Sequence, residues 1–84
     1  MTAAERIEAA GFDDVIILEG YSYDDALIGV TEEGRAVYDY EKMVAWLVRT
    51  QGFTEDEAVE WIDFNTINAL PNAGPLGPLI MYRV

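Results

Sequence analysis

The stretch from Ala26 to Tyr38 consists of ALIGV (26–30), TEEG (31–34) and RAVY (35–38), so that two short apolar runs flank a polar turn. The turn, residues 31–34, suits a type I turn followed by a bulge, with Gly34 at positive φ. Gly29 in the middle of the first run indicates close approach of another backbone or an aromatic ring. The stretch predicts a β-hairpin, with alternate residues on opposite faces: Ala26, Ile28 and Val30 on one, Leu27 and Gly29 on the other.

The residues before the hairpin contain a predicted short helix and an apolar run. A helix is predicted over Thr2–Ala10, because Thr2 and Glu5 have the spacing of a capping box and Gly11 can end it. The run from Val15 to Leu18 is short and β-branched, which favours a strand buried on both faces. A helical turn docked on the core is the alternative for this run.

Two longer helices are predicted after the hairpin. Asp39 caps the first, and Gly52 ends it. Thr54 and Glu57 begin the second with another capping box, and it extends to about Leu70. Each has one apolar face at helical spacing: Met43, Val44, Leu47 and Val48 in the first, and Ala58, Trp61, Ile62, Asn65 and Ala69, widened by Phe64, in the second.

A last apolar segment, Leu79 to Val84, is predicted to be a strand that pairs with the hairpin. The predicted fold class is α+β, in one domain covering residues 1–84. Its antiparallel sheet of three to four strands is covered on one face by an αα-hairpin, with a short N-terminal helix. Asn65 is expected to be buried and to fix the proline-rich loop near residues 71–78, with a ligand or partner contact as the alternative.

The charge of the chain is its most unusual property. The chain contains sixteen acidic and five basic residues and no histidine, which gives a net charge of −11. Such a field repels phosphates and anionic membranes and attracts basic partners, so we predict no direct contact with nucleic acid and no membrane partner. A second explanation is that the acids only keep the protein soluble.

Several kinds of chemistry are disfavoured by the composition. The chain has no cysteine and no histidine, and no base is evident near Ser22, so we predict that it is not an enzyme. The acidic pairs lack the spacing of a calcium loop, and we predict neither a metal nor a cofactor. The first residues have no basic segment followed by an apolar one, so the expected location is the cytoplasm of a bacterial host cell.

The candidate partner-binding residues are acids placed between Arg6 and Arg35, a stretch without a basic side chain. Carboxylates on a rigid scaffold can imitate a run of phosphates and occupy a groove that binds nucleic acid. The alternative is a solvated face whose acids serve turns and caps. The predicted site consists of Asp13, Asp14, Glu19, Asp24, Asp25, Glu32 and Glu33.

Several segments between Asp24 and Tyr82 resemble a group of small uncharacterised proteins encoded in bacterial and prophage genomes. The segments that carry the resemblance are ALIGV (26–30), Gly34 followed by RAVYDY (35–40), NTI (65–67) and ALP (69–71). The resemblance supplies no catalytic or binding residue. In size and charge the chain is also similar in kind to anti-CRISPR and anti-restriction inhibitors, several of which mimic DNA.

Two functional hypotheses follow from these observations. The first is a mobile-element inhibitor that binds a protein with a basic surface, such as a CRISPR effector or another defence nuclease, and blocks its nucleic-acid groove. The second is a non-catalytic interaction module, monomeric or dimerising through the hairpin edge or through an exposed surface of Trp46, Tyr21 and Tyr23. The two tyrosines are also expected to pack back over the sheet.

Overall fold

A computed structural model describes all 84 residues, as one three-stranded sheet with three α-helices. The α+β fold class is confirmed, with its short N-terminal helix. The helices are α1 (Ala3–Ala9), α2 (Tyr40–Gln51) and α3 (Glu55–Trp61), and the strands are β1 (Leu27–Val30), β2 (Ala36–Asp39) and β3 (Leu79–Met81). A π-helical turn (Ile62–Ile67) continues α3, and 3₁₀ turns cover Asp24–Ala26 and Leu70–Ala73.

The central strand of the sheet is β2, with β1 on one side and β3 on the other. The hairpin pair β1–β2 is antiparallel, as predicted. The last strand pairs with the hairpin, but it lies parallel to β2, with Val37 opposite Leu79 and Asp39 opposite Met81. The prediction of an entirely antiparallel sheet is therefore wrong. The helices between β2 and β3 form a crossover that returns the chain to the starting end of β2, which produces a parallel pair.

The turn of the hairpin has the predicted geometry, and its first strand does not. Gly34 has φ of +91°, and the N–H of Gly34 donates to the carbonyl of Thr31 at 2.9 Å. The register shifts between Leu27 and Gly29, which interrupts the alternation of faces along the strand, and Ile28 is 40% exposed. The alternation predicted for this strand is therefore wrong, and so is the close approach expected at Gly29, where no atom lies within 4 Å of an added Cβ.

The predicted helix caps are confirmed. Thr2 and Thr54 each accept a hydrogen bond from the N–H three residues later, and each helix start is a complete capping box. Asp39 accepts from the N–H of Lys42 at 3.1 Å. Gly52 follows α2 in the left-handed conformation, with φ of +72°. These short-range signals therefore place the starts of the three helices and the end of α2 correctly.

The core joins the sheet to α2 and to the start of the chain. Its fully buried larger side chains are Tyr23, Tyr38, Met43, Leu47 and Ile62. Ala3 and Ile7 bury the inner face of α1 against this cluster. The helix α1 is also held by Asp24, whose carboxylate accepts from the N–H of Ala3 at 2.7 Å.

Aromatic rings from the loop before the hairpin pack against the helices. Tyr21 has its ring centroid 6.0 Å from that of Trp46 and 5.2 Å from that of Trp61. Tyr23 is fully buried, and its hydroxyl lies 3.0 Å from the Thr66 hydroxyl of the π-helical turn. Tyr23 lies in the same buried cluster as Leu27 and Tyr38 of the sheet, and Tyr21 packs against that cluster, which agrees with the expectation that these tyrosines pack back over the sheet. The alternative of an exposed aromatic surface on Trp46, Tyr21 and Tyr23 is wrong, because their rings pack on one another.

The apolar run from Val15 to Leu18 forms neither the strand nor the helical turn that the sequence predicts. The only hydrogen bond of its main chain joins the Leu18 N–H to the Tyr38 hydroxyl at 3.4 Å. Asp14 just before it has φ of +56°, which turns the chain away from an extended path. The run serves the core through side chains alone, with Leu18 buried and Ile16 39% exposed.

The second long helix changes character at Ile62, where the π-helical turn begins. This turn is wider than an α-helical turn, with i→i+5 hydrogen bonds. Residues four positions apart therefore stay on the same side of the helix, whereas residues three positions apart do not. Thr66 is consequently buried. Asn65 is exposed, and its amide donates to the carbonyl of Trp61 at 3.2 Å. The prediction of a buried Asn65 that fixes the proline-rich loop is therefore wrong.

Candidate protein-binding surface

The acidic side chains fall into three groups by what they contact. Four form ion pairs, namely Asp25, Glu33, Asp39 and Glu41. Four others only accept hydrogen bonds, namely Glu5, Asp24, Glu57 and Asp63. The remaining acids are all exposed and have no ion-pair or hydrogen-bond partner: Glu8, Asp13, Asp14, Glu19, Glu32, Glu55, Asp56 and Glu60.

Three of the seven predicted site residues are already engaged within the protein. Both carboxylate oxygens of Asp24 are used, one by the Ala3 N–H and the other by the Ser22 hydroxyl at 3.0 Å. Asp25 pairs with Arg49. Glu33 lies 3.6 Å from Arg35, measured between carboxylate oxygen and guanidinium nitrogen. Asp24 in particular serves the fold, because it connects α1 to the turn before β1.

The other four predicted residues carry unpaired charge, but they line three different depressions. Asp13 and Asp14 border a hollow beside α1. Glu19 lies at a larger groove, and Glu32 lies at the tip of the hairpin. The predicted set is thus spread over the surface instead of forming one site.

Unpaired acids outside the predicted set lie mainly on α3. Glu55, Asp56 and Glu60 are exposed and unpaired. The run EDE at the start of this helix was visible in the sequence, where the helix dipole explains it. The sequence contains one sign that these acids are unpaired: no basic residue occurs between Arg49 and Arg83.

Each of the four arginines contacts a carboxylate or a main-chain carbonyl, while the exposed Lys42 side chain makes no such contact. Arg6 donates to the Asp24 carbonyl at 2.8 Å, and Arg35 donates to the Gly77 carbonyl at 3.0 Å. Arg49 pairs with Asp25. Arg83 donates to Asp39 at 2.8 Å and lies 3.1 Å from Glu41. None of the ion pairs of the protein involves any of the eight unpaired acids, so no basic side chain compensates their charges by direct contact.

A groove of about 410 Å³ separates residues 16–19 from the π-helical turn and the proline-rich loop. One wall is the apolar run that ends in Leu18, and its charged residue is Glu19. The opposite wall carries the amides of Asn65 and Asn72.

A second hollow, about 330 Å³, lies on the outer face of α3 and the π-helical turn. Its aromatic walls are Phe53, Trp61 and Phe64, and its polar rim contains Glu57, Glu60 and Asn65. Trp61 is 37% exposed and Phe64 is 69% exposed. Exposed aromatic rings beside carboxylates are typical of surfaces that bind cationic groups.

Shifted pKa values in the protein follow from packing and capping. The N–H and hydroxyl of Thr54 lower the pKa of the Glu57 carboxyl. Burial and a hydrogen bond to Asp63 raise the pKa of Tyr40 to about 12. Both pKa shifts arise from contacts that also hold the fold together.

No group of three or more His, Cys, Asp or Glu side chains is placed to hold a metal ion. None of the helices combines the length and the apolar character that a membrane span requires.

Comparison of the chain with protein-family models, curated proteins and solved structures finds no match. The resemblance to small bacterial and prophage proteins therefore stays a prediction.

Proposed function

We propose that the protein is a small acidic inhibitor, encoded by a mobile element, that binds another protein in the bacterial cytoplasm. Its partner is a defence nuclease, such as a CRISPR effector, with a basic groove for nucleic acid. The unpaired carboxylates on the side of the protein that meets the partner occupy that groove in place of phosphates. The protein itself performs no chemistry and binds neither nucleic acid nor membrane.

The observation that carries this proposal is the set of eight exposed acids without a partner in the fold. Acids kept for caps and turns would accept hydrogen bonds, and these eight accept none. A net charge of −11 on a chain of 84 residues also accelerates encounter with a basic protein. The groups that would contact the partner are therefore available without unfolding any part of the protein.

The test is displacement of a labelled DNA duplex from purified defence nucleases, measured by fluorescence anisotropy, together with phage plating on bacteria that express the protein. We expect displacement from at least one nuclease, with an affinity that falls steeply between about 50 and 200 mM salt. Rescue of phage plating should accompany it. Displacement that is insensitive to salt would contradict the mimicry, as would failure to rescue plating against any nuclease tested.

Two variants with equal charge separate contact from general repulsion. D13N/D14N/E19Q/E32Q neutralises four unpaired acids of the predicted site, and we expect it to lose displacement. D25N/E33Q/E41Q/D63N neutralises four acids that already have partners, and we expect it to retain most of the activity. Equal losses in both variants would mean that net charge alone, without a contact surface, causes the inhibition.

The alternative function, an interaction module that dimerises through the hairpin, is favoured by one observation. Strand β1 is an edge of the sheet, and Ile28 on it is 40% exposed. Unpaired strand edges pair readily with a second chain. Sedimentation of the wild type and of I28K would distinguish the two functions, because a dimer that the substitution dissociates supports the module and a monomer supports the inhibitor.

A further inference from the structure

The hollow on α3 contains the most exposed large apolar side chain away from the ends of the chain, Phe64. Glu57, Glu60, Trp61 and Phe64 all line this hollow. The π-helical turn starts at Ile62 and directs Phe64 outward while Thr66 takes the buried position. A π-helical turn inserted in an α-helix is frequent at functional sites.

The rings of this hollow are partly held in place. Trp61 packs on Phe53, with centroids 6.2 Å apart, and on Tyr21. The main chain at Trp61 is also fixed, because its carbonyl accepts from the Asn65 amide. Phe64 belongs to none of these ring pairs. Its ring lines the hollow without another aromatic ring packed on it.

The charge around the rings is negative and unneutralised. Glu60 has no partner, and Glu57 uses one oxygen, Oε1, to accept from the Thr54 N–H at 2.9 Å. No lysine or arginine occurs between residues 50 and 82. An apolar ligand would leave the Glu60 carboxylate without a counter-charge. A cationic side chain can contact the aromatic rings and also pair with this carboxylate.

We propose that this hollow receives an arginine side chain of the partner protein, stacked between Trp61 and Phe64 and paired with Glu60. A planar guanidinium matches both contacts, because it stacks on aromatic faces and presents a fork of N–H donors to a carboxylate. The compact, strongly hydrated ammonium of lysine matches them less well.

This inference rests on the proposed function in that it takes the partner to present a basic surface. It adds a site that the predicted acids do not include and gives that surface a particular residue. Aromatic anchors beside an arginine are typical of the residues that dominate binding energy at protein interfaces. The acids elsewhere would then contact the basic groove, and this hollow would anchor one arginine beside it.

The test uses three short amidated peptides that differ in one residue: acetyl-Gly-Arg-Gly, its lysine analogue and its citrulline analogue, which is uncharged but similar in shape. Titration is followed by the indole N–H resonance of Trp61 and the amides of Glu60 and Phe64 in two-dimensional NMR. We expect saturable shifts with the arginine peptide, about threefold weaker binding with lysine, and at least tenfold weaker binding with citrulline.

Matched variants localise the site. E60Q and F64A should each weaken arginine binding about threefold or more, while E55Q, with the same charge change on the same helix but outside the hollow, should stay within twofold of the wild type. Phe64 is exposed, so F64A should fold, and circular dichroism checks this. Equal effects of E60Q and E55Q, equal binding of the citrulline peptide, or no saturable shift at Trp61 would overturn the proposal.

Failure of the peptide test and failure of the inhibitor proposal are distinguishable. Peptide binding without displacement of DNA from any nuclease would keep the arginine site and reject the nuclease inhibitor. Displacement of DNA that F64A and E60Q leave unchanged would keep the inhibitor and reject this site.

Discussion

Asp39 joins three parts of the molecule through a single carboxylate. It ends β2, caps α2 through the Lys42 N–H, and accepts from Arg83 beyond β3. Its residue surface is only 2% exposed. Burial by itself would raise the pKa of this carboxyl, but the hydrogen bonds from Arg83 and Lys42 outweigh burial and hold the pKa below its ordinary 3.8.

Replacement of this residue tests its role. We expect D39A to lower the free energy of unfolding by about 2 kcal/mol, because it removes both a helix cap and a charged hydrogen bond. E41A also removes a contact with Arg83, but Glu41 is exposed, so its cost should stay below about 0.5 kcal/mol. Urea denaturation measures both. Equal costs would show that the cap and the burial of Asp39 contribute little.

The same carboxylate contributes to the pH dependence of stability. Its pKa is lower in the folded protein than in the unfolded chain, so its contribution is complete above pH 3.8 and is lost as the pH falls through the folded pKa. The stability difference between wild type and D39N should therefore shrink below about pH 4. A difference that stays constant through this range would rule out the ion pair as its source.

At the scale of secondary-structure elements, the hairpin contains two glycines that differ in one respect. No atom lies within 4 Å of an added Cβ at either Gly29 or Gly34, but only Gly34 has positive φ. We expect G34A to destabilise the protein by about 1 kcal/mol from backbone strain. G29A should be neutral or stabilise by about 0.5 kcal/mol, since it restricts the unfolded chain. Thermal unfolding of both variants makes the comparison.

The π-helical turn is joined to the loop before β1 by the buried hydroxyls of Tyr23 and Thr66. Loss of one hydroxyl leaves the other without a partner, so T66V and Y23F should each cost about 1–2 kcal/mol. The double variant should cost less than the sum of the two by about 1 kcal/mol. Urea denaturation of the four proteins gives this coupling energy, and an additive result would mean that the two hydroxyls do not interact.

The elements that the sequence predicts well are those with signals close together in the chain. Thr54 with Glu57 marks a helix start within four residues, and Gly34 marks a turn through its own φ. The failures depend on distant partners. Val15 to Leu18 has strand-forming residues but finds no strand beside it, and the buried position assigned to Asn65 goes to Thr66 once the helix widens.

At the scale of the whole molecule, unpaired acids surround a body measuring 35 × 27 × 27 Å. The Debye length at 10 mM salt is about 30 Å, so these charges repel one another across the molecule, and at 150 mM it falls to about 8 Å. We expect the melting temperature to rise by roughly 5 °C over this range. The variant D13N/D14N/E19Q/E32Q should show a smaller rise, and a salt response equal to that of the wild type would contradict the repulsion.

For the candidate site, too, the sequence predicts what depends on composition and misses what depends on contacts between residues distant in the chain. The sequence identified the excess of acids, and four of the seven predicted residues do carry unpaired charge. It could not reveal that Asp24 is used by the N–H of Ala3, a residue distant in the chain. The aromatic hollow was hidden for a similar reason, since Phe64 was assigned to the core face of a regular helix.

The parallel pairing of β3 also sets an order for assembly of the sheet. Strand β2 meets β1 across residues 31–35 but meets β3 only across residues 40–78. The second connection is about eight times as long as the first, which is three doublings of loop length. Its closure therefore costs about 2 kcal/mol more in chain entropy. The hairpin should therefore close first, and β3 should be the last strand to dock. For the same reason the amides of Leu79 to Met81 should be the first in the sheet to exchange with deuterium.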